Sequence, residues 1–120
     1  MTVTFIGHGN APEKIMPKVE SALKRLIEAG ANCFYVGNHG NFDMMVKKVL
    51  KKLKRQYPHI QYAVVLAYLP AGTADADDYL DTIYPDGLET TPPKFAIANR
   101  NRWMLKQADT VVAYVISTTG

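Results

Sequence analysis

Apolar residues along this chain follow two rhythms. Short unbroken runs, "VTFIG" (3–7), "CFYV" (33–36), "YAVVLAYL" (62–69) and "TVVAYVI" (110–116), alternate with longer stretches in which apolar positions recur every three or four residues. The first rhythm predicts strands, the second amphipathic helices. In the first long stretch, opened by Pro12, Ile15, Val19, Ala22, Leu23, Leu26 and Ile27 share a helical face, and Gly30 ends it. The second starts at Asn41 or Asp43, both good caps, and runs to about Tyr57 ahead of Pro58. The third covers roughly Lys94 to Ala108. Strand and helix in alternation predict an α/β fold. Runs so uniformly apolar predict strands buried on both faces, as in a parallel sheet flanked by helices. With right-handed crossovers the expected order is 3-2-1-4, a Rossmann-like sheet.

Composition narrows the class. A chain of 120 residues that is 48% hydrophobic can bury a core as one domain spanning 1–120. No apolar run approaches membrane-spanning length and "MTVTFIG" lacks the pattern of a secretory signal, so a soluble, cytoplasmic protein with no membrane partner is expected. The lone Cys33 excludes an internal disulfide, and within "NCFYV" it is expected to be a buried thiol, not a nucleophile. The net charge of +3 is concentrated on the second helix, in Lys47, Lys48, Lys51, Lys52, Lys54 and Arg55. These fall opposite Phe42, Val46, Val49, Leu50 and Leu53, with no aromatic residue among them. That is the pattern of a solvated outer face, so nucleic acid is not the favoured partner.

Candidate chemistry gathers where strands end. Open α/β sheets bind ligands at the carboxyl ends of their strands, at the point where strand order reverses. Three segments meet that description: Gly7, His8, Gly9 and Asn10 after the first strand; Gly37, Asn38, His39, Gly40, Asn41, Phe42 and Asp43 after the second; and Ser117, Thr118 and Thr119 after the fourth. Glycines let backbone N–H groups approach an anion, helix N-termini add a favourable dipole, and hydroxyls complete a phosphate cradle. Neither the full dinucleotide fingerprint nor a Walker motif is present. His8 and His39 suit phosphate contact or acid/base chemistry; two histidines without a third ligand do not make a metal site, and no metal or cofactor is implied. Asp43 suits a helix cap, a loop hydrogen bond or a ribose contact, and Asn38 and Asn41 divide between turn and ligand roles.

The connection from Tyr68 to Pro93 is long enough to act as a lid. Its acids, Asp75, Asp77, Asp78 and Asp81, lack the glycine and terminal glutamate of a calcium loop and are expected to be solvated. Tyr68 and Tyr84 either stack on a base, worth about 1–3 kcal/mol each, or cover the core edge. Arg100 and Arg102 can supply phosphate contacts, but residues two apart on a helix point to different faces, so at most one is expected in the site.

Five stretches, "FIGHGN", "FYVGNHGNFD", "YPHIQYAVVLAYLP", "YPDGLE" and above all "RNRWMLKQADTVVAYV", resemble the YpsA-like branch of the SLOG superfamily, relatives of the DNA-processing protein DprA and of Lonely-Guy proteins. The resemblance covers nearly the whole chain and implies a Rossmann-like fold that binds a nucleotide or nucleotide-derived ligand. Distant members hydrolyse N-glycosidic bonds. Two departures stand out: Gly9 takes the place of an arginine common in relatives, and the chain stops at Gly120, a short version without their usual C-terminal helix and strand. The expected function is a sensor or trap for a nucleotide signal. The alternatives are a hydrolase or transferase at a nucleoside N-glycosidic bond, using Asp43, His8 or His39, and a DNA-binding subunit. Nothing forms a nucleophile–base pair, which favours a binder over an enzyme. An apolar last strand at the sheet edge also predicts a homo-oligomer through residues 110–116 and the helix face near Trp103.

Overall fold

The computed structural model describes residues 1–7, 11–38, 40–67, 82–85 and 87–114, with backbone alone at 89 and 114. Five strands form one parallel sheet: β1 (Thr2–Gly7), β2 (Cys33–Val36), β3 (Gln61–Val65), β4 (Thr82–Ile83) and β5 (Thr110–Tyr114). The helices are α1 (Met16–Glu28), preceded by a 3-10 turn at Glu13–Ile15, α2 (Gly40–Gln56) and α3 (Pro93–Gln107), preceded by a 3-10 turn at Leu88–Thr90. Strand order is β4-β3-β2-β1-β5, so the architecture is Rossmann-like α/β.

The four strands expected from the sequence stand in the expected relative order. The correction is β4, which adds a fifth strand outside β3 and pairs Thr82 with Val64 and Ile83 with Val65. Two residues carry no hydrophobic period, so the pattern could not reveal them. The third apolar run is also shorter as a strand than expected: β3 ends at Val65, and Leu66 and Ala67 are buried beyond it.

Side chains alternate between the two faces of the sheet. On one face Val3, Phe5, Phe34, Val36 and Val64 join Val19, Leu23 and Ile27 of α1 and Val46, Val49, Leu50 and Leu53 of α2 in a single apolar cluster. The Phe5 and Phe34 rings stack across β1 and β2 with centroids 6.2 Å apart. α1 ends as its sequence suggests, with Gly30 in the left-handed region (φ +113°) that side chains disfavour. The other face carries Thr4, Tyr35 and Ala63 and is covered by α3, whose Ala96, Arg100 and Met104 are buried. This division is what right-handed crossovers require when the chain steps outward from β1 and returns to β1's free side. Asp109 secures the return: its carboxylate accepts a hydrogen bond from the Thr2 N–H (2.8 Å), and its own N–H donates to Thr2 O (2.8 Å).

Burial on both faces holds at the centre of the sheet, where Val3, Thr4 and Phe5 are inaccessible, and Thr4 Oγ1 donates to Tyr35 O (2.8 Å). It fails at the edge: β5 pairs with β1 alone among the described residues, and Val111 and Ala113 are exposed. Cys33 is likewise half-buried, not enclosed as expected, since it borders a surface depression. No helix among the described residues is long and apolar enough to cross a membrane.

Candidate functional site

At the carboxyl ends of β1 and β2 the chain approaches itself closely. A Cβ on Gly7 would lie 2.5 Å from Phe42 Cδ2, so the first strand ends on a glycine because the Phe42 ring, itself buried, occupies the space. At Gly37 the neighbours are charged. A Cβ there would lie 2.7 Å from Asp43 Oδ2 and 2.8 Å from Arg100 Cζ. Asp43 comes from the first turn of α2 and Arg100 from the middle of α3, and both are buried. Carboxylate and guanidinium thus close on the same glycine from opposite faces of the sheet. Arg100 is held in place by its neighbour: Nε and Nη2 both donate to Asn101 Oδ1, at 3.2 and 2.9 Å. The fork fixes the guanidinium plane and presents Nη1 to Gly37.

The next residue is anchored as well. Lys47 Nζ donates to Asn38 Oδ1 at 3.0 Å, tying the loop to the second turn of α2. Gly40 opens that helix at φ +86°, and Asn41 is exposed beside it. The N-terminal end of α2, with its positive dipole end, therefore lies at the same loop as Lys47 and Arg100.

Of the residues singled out in the sequence, the structure brings together Gly37, Asn38, Asp43 and Arg100, with Gly40 and Asn41 opening α2 and with Gly7 and Phe42 alongside. Arg102 is not part of this cluster; it lies on the far side of α3, as two-residue spacing on a helix requires. Tyr84 is half-buried and packs against the apolar core. His8, Gly9, Asn10, His39, Tyr68, Ser117, Thr118 and Thr119 lie outside the described residues, as do Asp75, Asp77, Asp78 and Asp81. Lys47 was hidden in the sequence among lysines of a solvated face; its one signal is the four-residue spacing from Asp43, which sets both on the same side of α2.

The other lysines of α2 are partly engaged within the chain. Lys52 pairs with Glu20 at 2.9 Å, and Lys54 donates to the carbonyls of Pro58 and Ile60 beyond the helix end. Two depressions open on the α3 side of the sheet. One, of about 570 Å³, is bordered by Cys33, Tyr35, Gln61, Ala63 and Thr82. Burial, with a smaller contribution from Cys33, pushes the Tyr35 phenol above its ordinary value. The other, of about 280 Å³, lies between α3 and the residues Pro85, Gly87, Leu88 and Thr91. Trp103 borders the second, and its ring meets that of Tyr35 at 5.5 Å.

Fold and site together define a Rossmann-like α/β protein with a charged, glycine-bracketed loop at the carboxyl edge of its sheet. A scan of the chain against protein-family models matched none, and a search of curated proteins found no match.

Proposed function

We propose that the loop joining β2 to α2 binds the phosphate-bearing part of a nucleotide or nucleotide-derived molecule, and that the protein is a cytoplasmic sensor or trap for such a signal. The observation that carries this is the convergence of Asp43, Arg100 and Lys47 on Gly37 and Asn38 at the strand ends. An incoming phosphate would meet the N–H groups opening α2 and the Lys47 ammonium, which need only exchange its hold on Asn38 for the anion. Asp43, at the same edge, would accept from a sugar hydroxyl. The likeness of "FYVGNHGNFD" and "RNRWMLKQADTVVAYV" to the YpsA-like SLOG branch supports the same ligand class. A homo-oligomer belongs to this proposal, with a second copy pairing along β5.

The test begins with the ligand. Protein purified from cells, denatured and analysed by mass spectrometry is expected to release a nucleotide-class molecule, and a panel of linear, cyclic and ADP-ribose-type nucleotides is expected to give binding heat and a thermal shift. A panel that gives neither sinks the proposal. Ligand recovered unchanged after long incubation identifies a binder; free base in the mixture identifies a hydrolase.

A further inference from the structure

The 280 Å³ groove on the outer side of α3 has a composition that the strand-edge loop does not share. Its wall on α3 is Asn99, Arg102, Trp103 and Lys106, facing Thr91 and Leu88. Arg102 and Lys106 are four apart, hence one above the other on the helix, and both are exposed. Neither has an ion-pair partner among the described residues. No carboxylate among the described residues lines the groove. A chain of polar contacts crosses it: Arg102 Nη1 donates to Asn99 Oδ1 at 3.4 Å, and Asn99 Nδ2 to Thr91 Oγ1 at 3.5 Å. Both contacts are long and therefore weak. The indole of Trp103 borders the same groove, half-buried, and its ring meets that of Tyr35 with centroids 5.5 Å apart.

Two cations without an ion-pair partner among the described residues suit an anion, and a half-buried indole beside them suits a flat ring. Lone surface cations are commonly only solvated, but here they stand beside an aromatic ring at a groove of about 280 Å³, a little below the ~300–1,000 Å³ range of small-ligand pockets. We propose that this groove is a second binding site, for a phosphate-bearing aromatic ligand, with Arg102 and Lys106 on the phosphate, Trp103 against the ring and Asn99 on its polar edge. A nucleotide unit is the ligand class that joins these chemistries, and it is available from two sources, a free nucleotide or a single-stranded nucleic acid. The site is distinct from the strand-edge loop, since Arg100 and Arg102 leave α3 in different directions.

Trp103 is the chain's sole tryptophan, so its fluorescence reports this groove directly. The wild-type chain is titrated with AMP, with a twelve-residue oligothymidylate and with inorganic phosphate. Saturable quenching by AMP or the oligonucleotide is expected, at least tenfold weaker in the Arg102→Ala/Lys106→Ala double variant, which alters exposed positions only. Tighter binding of the oligonucleotide than of AMP by more than tenfold identifies a single strand as the source; otherwise the source is the free nucleotide. Three results overturn the proposal: no quenching by either probe, unchanged affinity in the double variant, or inorganic phosphate binding as tightly as AMP. Gly37→Ala separates the two sites. It is expected to weaken binding at the strand-edge loop, read by calorimetry, while leaving the Trp103 quenching intact, so either site can fail alone.

Discussion

Gly37 is a glycine because of what stands beside it. Asp43 Oδ2 and the Arg100 guanidinium occupy the space a side chain would need, and both belong to buried residues that cannot swing into solvent. Gly37→Ala is therefore expected to destabilise the fold by about 1–3 kcal/mol, the usual cost of overpacking, and to weaken ligand binding at the loop by displacing Arg100. Denaturant unfolding and calorimetry measure the two effects separately. Gly7→Ala meets the Phe42 ring at 2.5 Å and is expected to cost a similar ~1–3 kcal/mol. Unchanged stability in both variants would show that the strand ends relax more freely than their packing indicates. Each of these glycines was legible in the sequence as the end of a strand. The reason for Gly37 was not, because Arg100 reaches it from another helix far along the chain.

At the scale of elements, α2 shows how far a periodic pattern goes. Its apolar positions correctly face the sheet, yet the lysines opposite them do three different things. Lys47 holds the loop residue Asn38, Lys52 ties α2 to α1 through Glu20, and Lys54 closes the helix end on Pro58 and Ile60. The hydrogen bond from Lys52, then the charges of Lys52 and Lys24, hold the Glu20 carboxyl below its ordinary value of 4.5. A depressed carboxyl contributes stability above its unfolded value and loses it as pH falls through the folded one. Glu20→Gln is thus expected to lower the melting temperature slightly at pH 7 and to match the wild type near pH 3. A gap that persists in acid would assign the effect to packing instead. The effect is small because the pair is solvent-screened. Elsewhere the element pattern fell short at β4, where two residues pair because Val64 and Val65 offer a free edge, not because their own sequence demands it.

For the whole molecule, the exposed side of β5 sets the expected assembly. Val111 is 44% exposed while Val112 packs against the core, so only Val111 tests the edge without disturbing the fold. A second copy adding its β5 would pair with the backbone groups left open at β5 among the described residues, alongside Val111 and Ala113. Sedimentation at micromolar concentration is expected to show an oligomer, and Val111→Lys to shift it to monomer with an unchanged circular dichroism spectrum. A wild-type monomer, or an oligomer indifferent to Val111→Lys, places the contact elsewhere or removes it.

What the sequence by itself determined is the parallel α/β layout, the order of its four long strands, the helices with their approximate ends and the strand-end position of the glycine-bracketed loop. These follow from local periodicity, turn chemistry and crossover handedness, all of which act between neighbours or consecutive elements. Tertiary structure alone decided that Asp43 and Arg100 share Gly37, that Lys47 leaves its lysine row for Asn38, that Tyr84 joins the core, and that Arg102 turns to a separate groove with Trp103. Each of those outcomes depends on where a side chain from a distant element arrives, and that is settled by packing across the sheet rather than by any pattern along the chain.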